Sequence, residues 1–246
     1  MSTMQRLKEK LRKFLIKFKI DLTKNIEYDR LTEEILKKIL KPGSNAIDIG
    51  CHKGEILDLF LKYAPAGHHS AFEPLPSFYA DLVEKYKDNK NVSLFNLALS
   101  KHTGESNFTF VKSNPAYSGF QEREYDTEEV ELEIIKVQMA LLDDIITKDQ
   151  PIDLIKIDVE GAEFQVLEGS INTLKRCMPL LVFEHGRGAS DYYGILPKEM
   201  YELLHIQLGY QIYTLKGFVG NKAPLTFEEF GNKFFARKEY YFVASK

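Results

Sequence analysis

The 246-residue chain predicts an α/β fold built on a largely parallel sheet with helices on both faces. Short apolar runs alternate with helical periodicities along most of its length, and nearly every run closes on an acid or an amide. A composition of 44% hydrophobic and 28% charged residues supplies a sizeable core and excludes disorder as the default.

From residue 28 a helical pattern runs through "EYDRLTEEILKKIL" and stops at Pro42-Gly43. The strand-like run "NAIDIG" follows, with a helix predicted near 54–63. Then come "HHSAFEP" with a helix near 76–87, and "VSLFNLALS" as a third strand. Residues 104–138 read as a polar, two-stranded stretch. "IDLIKIDVEG" precedes a helix near 162–176 with Ala162, Val166, Leu167, Ile171 and Leu174 on one face. "PLLVFEHG" precedes a helix near 197–208, and "YQIYTL" and "EYYFVAS" finish the chain.

The first twenty residues differ from the rest. Met4, Leu7, Leu11, Phe14, Leu15 and Phe18 fall at helical spacing, and seven basic residues against Glu9 give the segment a charge of +6. The chain's net charge of −3 leaves −9 for the remainder. Residues 1–27 are thus read as a basic amphipathic helix and linker, and residues 28–246 as a single domain. The pattern suits first a helix docked on the domain, and as the alternative a peripheral contact with an anionic membrane.

The overall charge gives no general push toward nucleic acid, and none is expected as a partner. Cys51 and Cys177 are far apart, which points to a reducing cytoplasm and no structural zinc. No apolar run approaches the roughly 20 residues of a membrane span, and lysines interrupt the N-terminus where a secretory signal would be apolar. The expected location is cytoplasmic.

In a parallel sheet the ligand sits beyond the carboxyl ends of the strands. The first such end reads D-x-G-x-x-x-G, with Asp48, Gly50 and Gly54. Dinucleotide folds carry G-x-G-x-x-G there, whose bare amides meet a pyrophosphate. A carboxylate at Asp48 would repel that group and favour a cationic nucleoside such as S-adenosylmethionine. Gly50 and Gly54 would let the backbone approach it. Glu73 ends the second strand, where an acid can bond both ribose hydroxyls. Asn96 closes the third and can pair with an adenine amine.

"IDIGCHKGE", "FEPLPSFYADL", "NLALS" and "LIKIDVEGAEFQVLEGS" together resemble the FkbM-type S-adenosylmethionine-dependent methyltransferases over roughly residues 45–185. The resemblance implies a class I (Rossmann-like) methyltransferase fold, with a seven-stranded, mostly parallel sheet and an antiparallel last strand. It also implies O-methylation of a hydroxyl, commonly on a sugar or a polyketide-like product. Cys51-His52 stands where the family often has Ala-Asn, so no role is assigned to His52.

Removing the hydroxyl proton calls for a base, and the candidates are His185 or Glu160, with Asp158 shaping the methionine end of the pocket. Asp158, Glu160 and Glu184 could together bind a divalent cation through oxygen, but no spacing is diagnostic and no metal is assigned. The tyrosine-bearing stretches "SNPAYSGFQEREYDTEEVE" and "GRGASDYYGILP" are expected on the acceptor side, for a hydroxyl-bearing small molecule or glycan. Two rival readings are a nicotinamide-dependent oxidoreductase, disfavoured by Asp48 and the missing third glycine, and a non-catalytic methyltransferase-like binding module.

Overall fold

A computed structural model describes residues 23–113, 117–121 and 131–246. The basic helix expected over residues 1–20 lies outside them, as does Tyr125.

The seven-stranded sheet has the order β3-β2-β1-β7-β8-β10-β9. Its first five strands are β3 (Val92–Phe95), β2 (His69–Phe72), β1 (Ala46–Ile49), β7 (Leu154–Ile157) and β8 (Leu180–Glu184), all parallel. The last strand, β10 (Tyr241–Ser245), inserts antiparallel between β8 and β9 (Gln211–Thr214). This is the class I methyltransferase arrangement. A small second sheet, β4-β6-β5, holds β4 (Ala98–Leu99), β5 (Gly104–Val111) and β6 (Leu132–Ala140). The single strand expected from "VSLFNLALS" therefore divides between the two sheets, and the polar stretch supplies the antiparallel β5–β6 pair.

Strands buried on both faces need apolar residues at successive positions, and β1 and β7 are buried throughout. One face packs Ile47, Ile155, Leu181 and Phe242 beneath α4 (Leu142–Ile145), α5 (Glu163–Glu168), α6 (Ile171–Cys177) and α9 (Phe227–Phe235). The other packs Ala46, Leu154, Val182 and Val243 beneath α1 (Lys24–Ile39), α2 (Glu55–Tyr63), α3 (Pro76–Tyr86) and α8 (Leu215–Val219). The predicted helix at 162–176 is two helices, interrupted at Gly169-Ser170. The one at 197–208 starts as α7 (Pro197–Tyr201) and widens into π-helical turns at Glu202–Gln207.

α1 begins four residues before the expected domain start. The Thr23 hydroxyl caps it by accepting from the Ile26 amide at 3.3 Å, and Leu31, Ile35 and Leu36 bury its inner stripe. Residues 24–27 thus belong to the domain's first helix. Among the described residues, no helix is long and apolar enough to cross a membrane.

Candidate active site

A cavity of about 870 Å³ opens at the carboxyl edge of the sheet, large enough for a nucleoside cofactor with an acceptor beside it. Gly50 and Glu73 stand on one part of its wall, Asp158, Glu160 and Glu184 on another.

The loop after β1 is held by Glu73. One carboxylate oxygen accepts the His52 amide at 2.8 Å and the other the Leu75 amide at 2.9 Å. Burial raises the Glu73 pKa to about 7, against the lowering effect of those amides and of Lys156. Gly50 has φ +75°, and a Cβ there would sit 1.9 Å from the Asp158 carbonyl oxygen. Close approach of the β7 end therefore demands this glycine, beyond any need of a ligand.

The register of β1 against β7 sets Asp48 directly beside Lys156. Asp48 is fully buried, and neither carboxylate oxygen has a hydrogen-bond partner among the described residues. The Lys156 ammonium lies 3.6 Å from Asp48 and 3.3 Å from Asp158, and donates to the Gly50 carbonyl at 3.1 Å. Burial lifts the Asp48 pKa to about 6, with Lys156 opposing. Burial also pushes Asp158 upward, but Lys156 and a hydrogen bond donated by the Tyr241 hydroxyl outweigh it and hold Asp158 below its ordinary value. Lys156 in turn is raised, because attraction to Asp158 and Asp48 exceeds the penalty of its burial.

Beside this buried cation, one carboxylate oxygen from each of Asp158, Glu160 and Glu184 falls within 4.8 Å of the others. Glu160 takes a left-handed backbone, φ +59°, which costs a non-glycine residue on the order of 1–2 kcal/mol. Glu163 braces that turn from below, accepting the Val159 amide at 2.9 Å and the Gly161 amide at 3.1 Å. The three acids are spaced to share a divalent cation, yet Lys156 and Tyr241 already compensate Asp158, and among the described residues nothing beyond the cluster points to an ion.

Four sequence-predicted site residues stand elsewhere. Asp48 lies behind the cavity wall, and the cation it faces there is Lys156, itself on the wall. Gly54 caps α2 with φ +75°, and a Cβ would meet the Tyr86 hydroxyl at 2.5 Å; helix packing accounts for it. The Asn96 amide nitrogen donates to the Glu73 and Pro74 carbonyls at 2.8 and 3.0 Å, bracing the turn after Glu73, and Asn96 is not on the cavity wall.

His185 is the largest correction. Its ring is fully buried, stacked on Phe230 and Phe234 of α9, with Nδ1 3.1 Å from the Ser190 hydroxyl. The ring is not on the cavity wall, and burial drives its pKa down to about 3, which leaves it sealed from an acceptor and too weak a base to take a hydroxyl proton. His185→Leu is expected to keep turnover and to gain acid resistance. The unfolded chain protonates this ring below its ordinary value of 6.5 and the native state does not until about pH 3. The wild type thus loses about 1.4 kcal/mol per pH unit across that window, and the variant should gain about 2 kcal/mol on it between pH 7 and 5. Urea melts at both pH values check this.

Sequence reasoning missed Lys156, Tyr28, Tyr240 and Tyr241, all on the cavity wall. Lys156 was the findable one, as a single lysine inside the buried apolar run "LIKI". Of the expected acceptor loops, Tyr117 and Phe120 reach the wall, while the Tyr193 hydroxyl accepts from the Phe120 and Gln121 amides at 3.0 and 3.3 Å.

The family profile described as "Methyltransferase FkbM domain" matches residues 48–212, a span holding every acid of the cluster. The chain belongs to the FkbM methyltransferase family. It is 27% identical over 164 residues to the 2-O-methyltransferase NoeI of Sinorhizobium fredii (strain NBRC 101917 / NGR234), a match taking in 60% of this chain and 65% of that protein. The crystal structure of methyltransferase FkbM from Methylobacillus flagellatus KT shares the fold. Its TM-score is 0.51 at 16% identity, over 87% of this chain and 51% of that one. The chain thus spans about half of that structure and just under two thirds of the curated relative.

S-adenosylmethionine is the donor expected of a chain of this family. The cavity wall fits that group: backbone at Gly50 without a side chain, a carboxylate at Glu73 for ribose hydroxyls, and a loop whose Gly50, Cys51, His52 and Gly54 amides are already bonded within the protein and not offered to a pyrophosphate. The oxidoreductase alternative falls with the family.

Proposed function

We propose that this FkbM methyltransferase transfers a methyl group to a hydroxyl oxygen of a sugar or glycoconjugate. The observation that carries the reading is the acid trio Asp158, Glu160 and Glu184, gathered in the same cavity as Gly50 and Glu73. The relative's name, 2-O-methyltransferase, supports oxygen as the acceptor atom.

S-adenosylmethionine, when bound, supplies a methyl carbon already activated on a sulfonium. The protein's own work is placement and proton removal. Gly50, Glu73 and the two turns that Glu73 joins through the His52 and Leu75 amides would hold the donor's nucleoside end. Asp158, kept ionised by Lys156 and Tyr241, would offer its charge to the donor's cationic end. Glu160, standing at the rim on its strained turn, accepts the hydroxyl proton as the new carbon–oxygen bond forms.

A thermal-shift experiment tests the donor. S-adenosylmethionine and S-adenosylhomocysteine at a hundredfold excess over Kd are expected to raise the Tm by about 5–10 °C, and NAD to leave it unchanged. Stabilisation by NAD alone would overturn the reading. Release of S-adenosylhomocysteine on adding glycan acceptors, undiminished by EDTA, tests the reaction and its independence of metal.

A further inference from the structure

The stretch "DVEGAE" carries three acids close together, Asp158, Glu160 and Glu163. The first two line the cavity, and the third does not reach its wall. Glu163 is fully buried at the start of α5, behind the turn that presents Glu160. A helix dipole favours an acid at its N-terminus, but that gain is small beside the cost of burying a carboxylate. The side chain is therefore held inside by its bonds.

Those bonds run backward to the turn. One oxygen of Glu163 accepts from the Val159 amide at 2.9 Å and from the Gly161 amide at 3.1 Å, the residues on either side of Glu160. The peptide planes 158–159 and 160–161 are thereby tied to a single atom, which leaves the plane between them little choice of direction. Glu160 is held with φ +59° and Gly161 with φ +109°. A glutamate keeps such a backbone only where its surroundings over-determine it. Packing supplies the other two constraints. A Cβ on Gly50 would meet the Asp158 carbonyl oxygen at 1.9 Å, and one on Gly161 would meet the Ala189 carbonyl oxygen at 2.6 Å. The turn is wedged between the loop after β1 and the loop after β8, and Glu163 closes its third side. The other oxygen of Glu163 has no hydrogen-bond partner among the described residues. Burial raises the Glu163 pKa against the pull of the bonded amides. What the turn takes from this side chain is an acceptor oxygen, and the charge is secondary.

We propose that Glu163 is a positioning residue for the reaction: by holding the amides that flank Glu160, it sets that carboxylate beside those of Asp158 and Glu184 for proton removal. This rests on the methyltransferase reading above and adds a residue that governs its rate without touching either substrate. With both amides released, Glu160 relaxes to a negative φ and its carboxylate leaves the trio. Displacing a reacting group by about 1 Å costs on the order of 10²-fold in rate.

The test compares Glu163→Met, which keeps the side chain's length and removes the acceptor, with Glu163→Gln, which keeps an acceptor oxygen. Crystal structures of the full-length variants grown with S-adenosylhomocysteine read the turn directly. Glu160 is expected at negative φ in the methionine variant and at the wild-type φ in the glutamine variant. Turnover is read as S-adenosylhomocysteine release on a panel of neutral oligosaccharides. The methionine variant should lose about 10²-fold in kcat with the KM for S-adenosylmethionine little changed, and glutamine should restore the rate. In a Glu160→Gln background the methionine substitution should cost almost no further rate, because no base is left to aim. If the methionine variant does not fold, Glu163→Asp, too short to reach both amides, replaces it with the same expectations. A turn that keeps Glu160 at positive φ without the acceptor would overturn the positioning role. So would an equal proportional loss of rate with and without the Glu160 carboxylate. If the wild type methylates no oligosaccharide, the acceptor reading fails and the crystal structures still decide the role of Glu163. Failure of the wild type to bind S-adenosylhomocysteine would instead sink the methyltransferase reading.

Discussion

Replacing Lys156 by methionine is expected to cost about 3–5 kcal/mol of folding stability, because it leaves buried carboxylates without their cation. The ammonium sits between Asp48 and Asp158 and also ties down the Gly50 carbonyl, so one side chain joins β1, β7 and the ligand loop. The deficit should depend on pH, with a definite sign. Without Lys156 the folded-state pKa values of both acids lie above their unfolded values. Their contribution is then present at low pH and lost as pH rises through the unfolded values and on toward the folded ones. In the wild type Asp158 is held low, so it contributes stability above its unfolded value. The gap between the proteins should therefore widen from pH 5 to pH 8 in urea denaturation. Adding Asp48→Asn to Lys156→Met should restore much of the loss, since one of the stranded charges is removed. A Lys156→Met protein as stable as the wild type at pH 8 would show that the buried cation is dispensable.

That network also shows what the sequence could and could not convey. The alternation of apolar runs with helical stripes is a local property, and it was enough for the sheet, its parallel core and the edge where the site forms. The strand-end rule brought Gly50, Glu73, Asp158 and Glu160 to one cavity. It failed where a residue's surroundings come from distant parts of the chain. His185 ends its strand as expected, but Phe230 and Phe234 arrive from α9 and seal it. Asp48 ends β1, but its partner is supplied by the register of β7, which periodicity does not encode. Tyr28 and Tyr240 are 212 positions apart and share a hydrogen bond. Asn96 shows the limit at short range: an amide beside a strand end satisfies two nearby carbonyls as readily as a ligand.

Glu160→Gln is expected to lower kcat by about 10²–10⁴-fold while leaving S-adenosylmethionine affinity unchanged, the range lost when a positioned base is removed. The comparison that isolates the effect is Glu160→Gly. At φ +59° glycine suits the backbone better than glutamate, so relief of strain offsets the entropy glycine adds to the unfolded chain. Stability should stay level or rise, yet turnover should fall as far as in the glutamine variant. A turn made less strained but inactive would mean that the strain is retained for the carboxylate it presents. Asp158→Asn should behave differently, because Asp158 receives Tyr241 and faces Lys156. It should lose donor affinity as well as rate, and stability with both. Single-turnover kinetics with saturating donor separate the two patterns. If Glu160→Gln keeps full rate while Asp158→Asn loses it, proton removal belongs to the Asp158–Glu184 side of the trio and the role assigned to Glu160 is wrong.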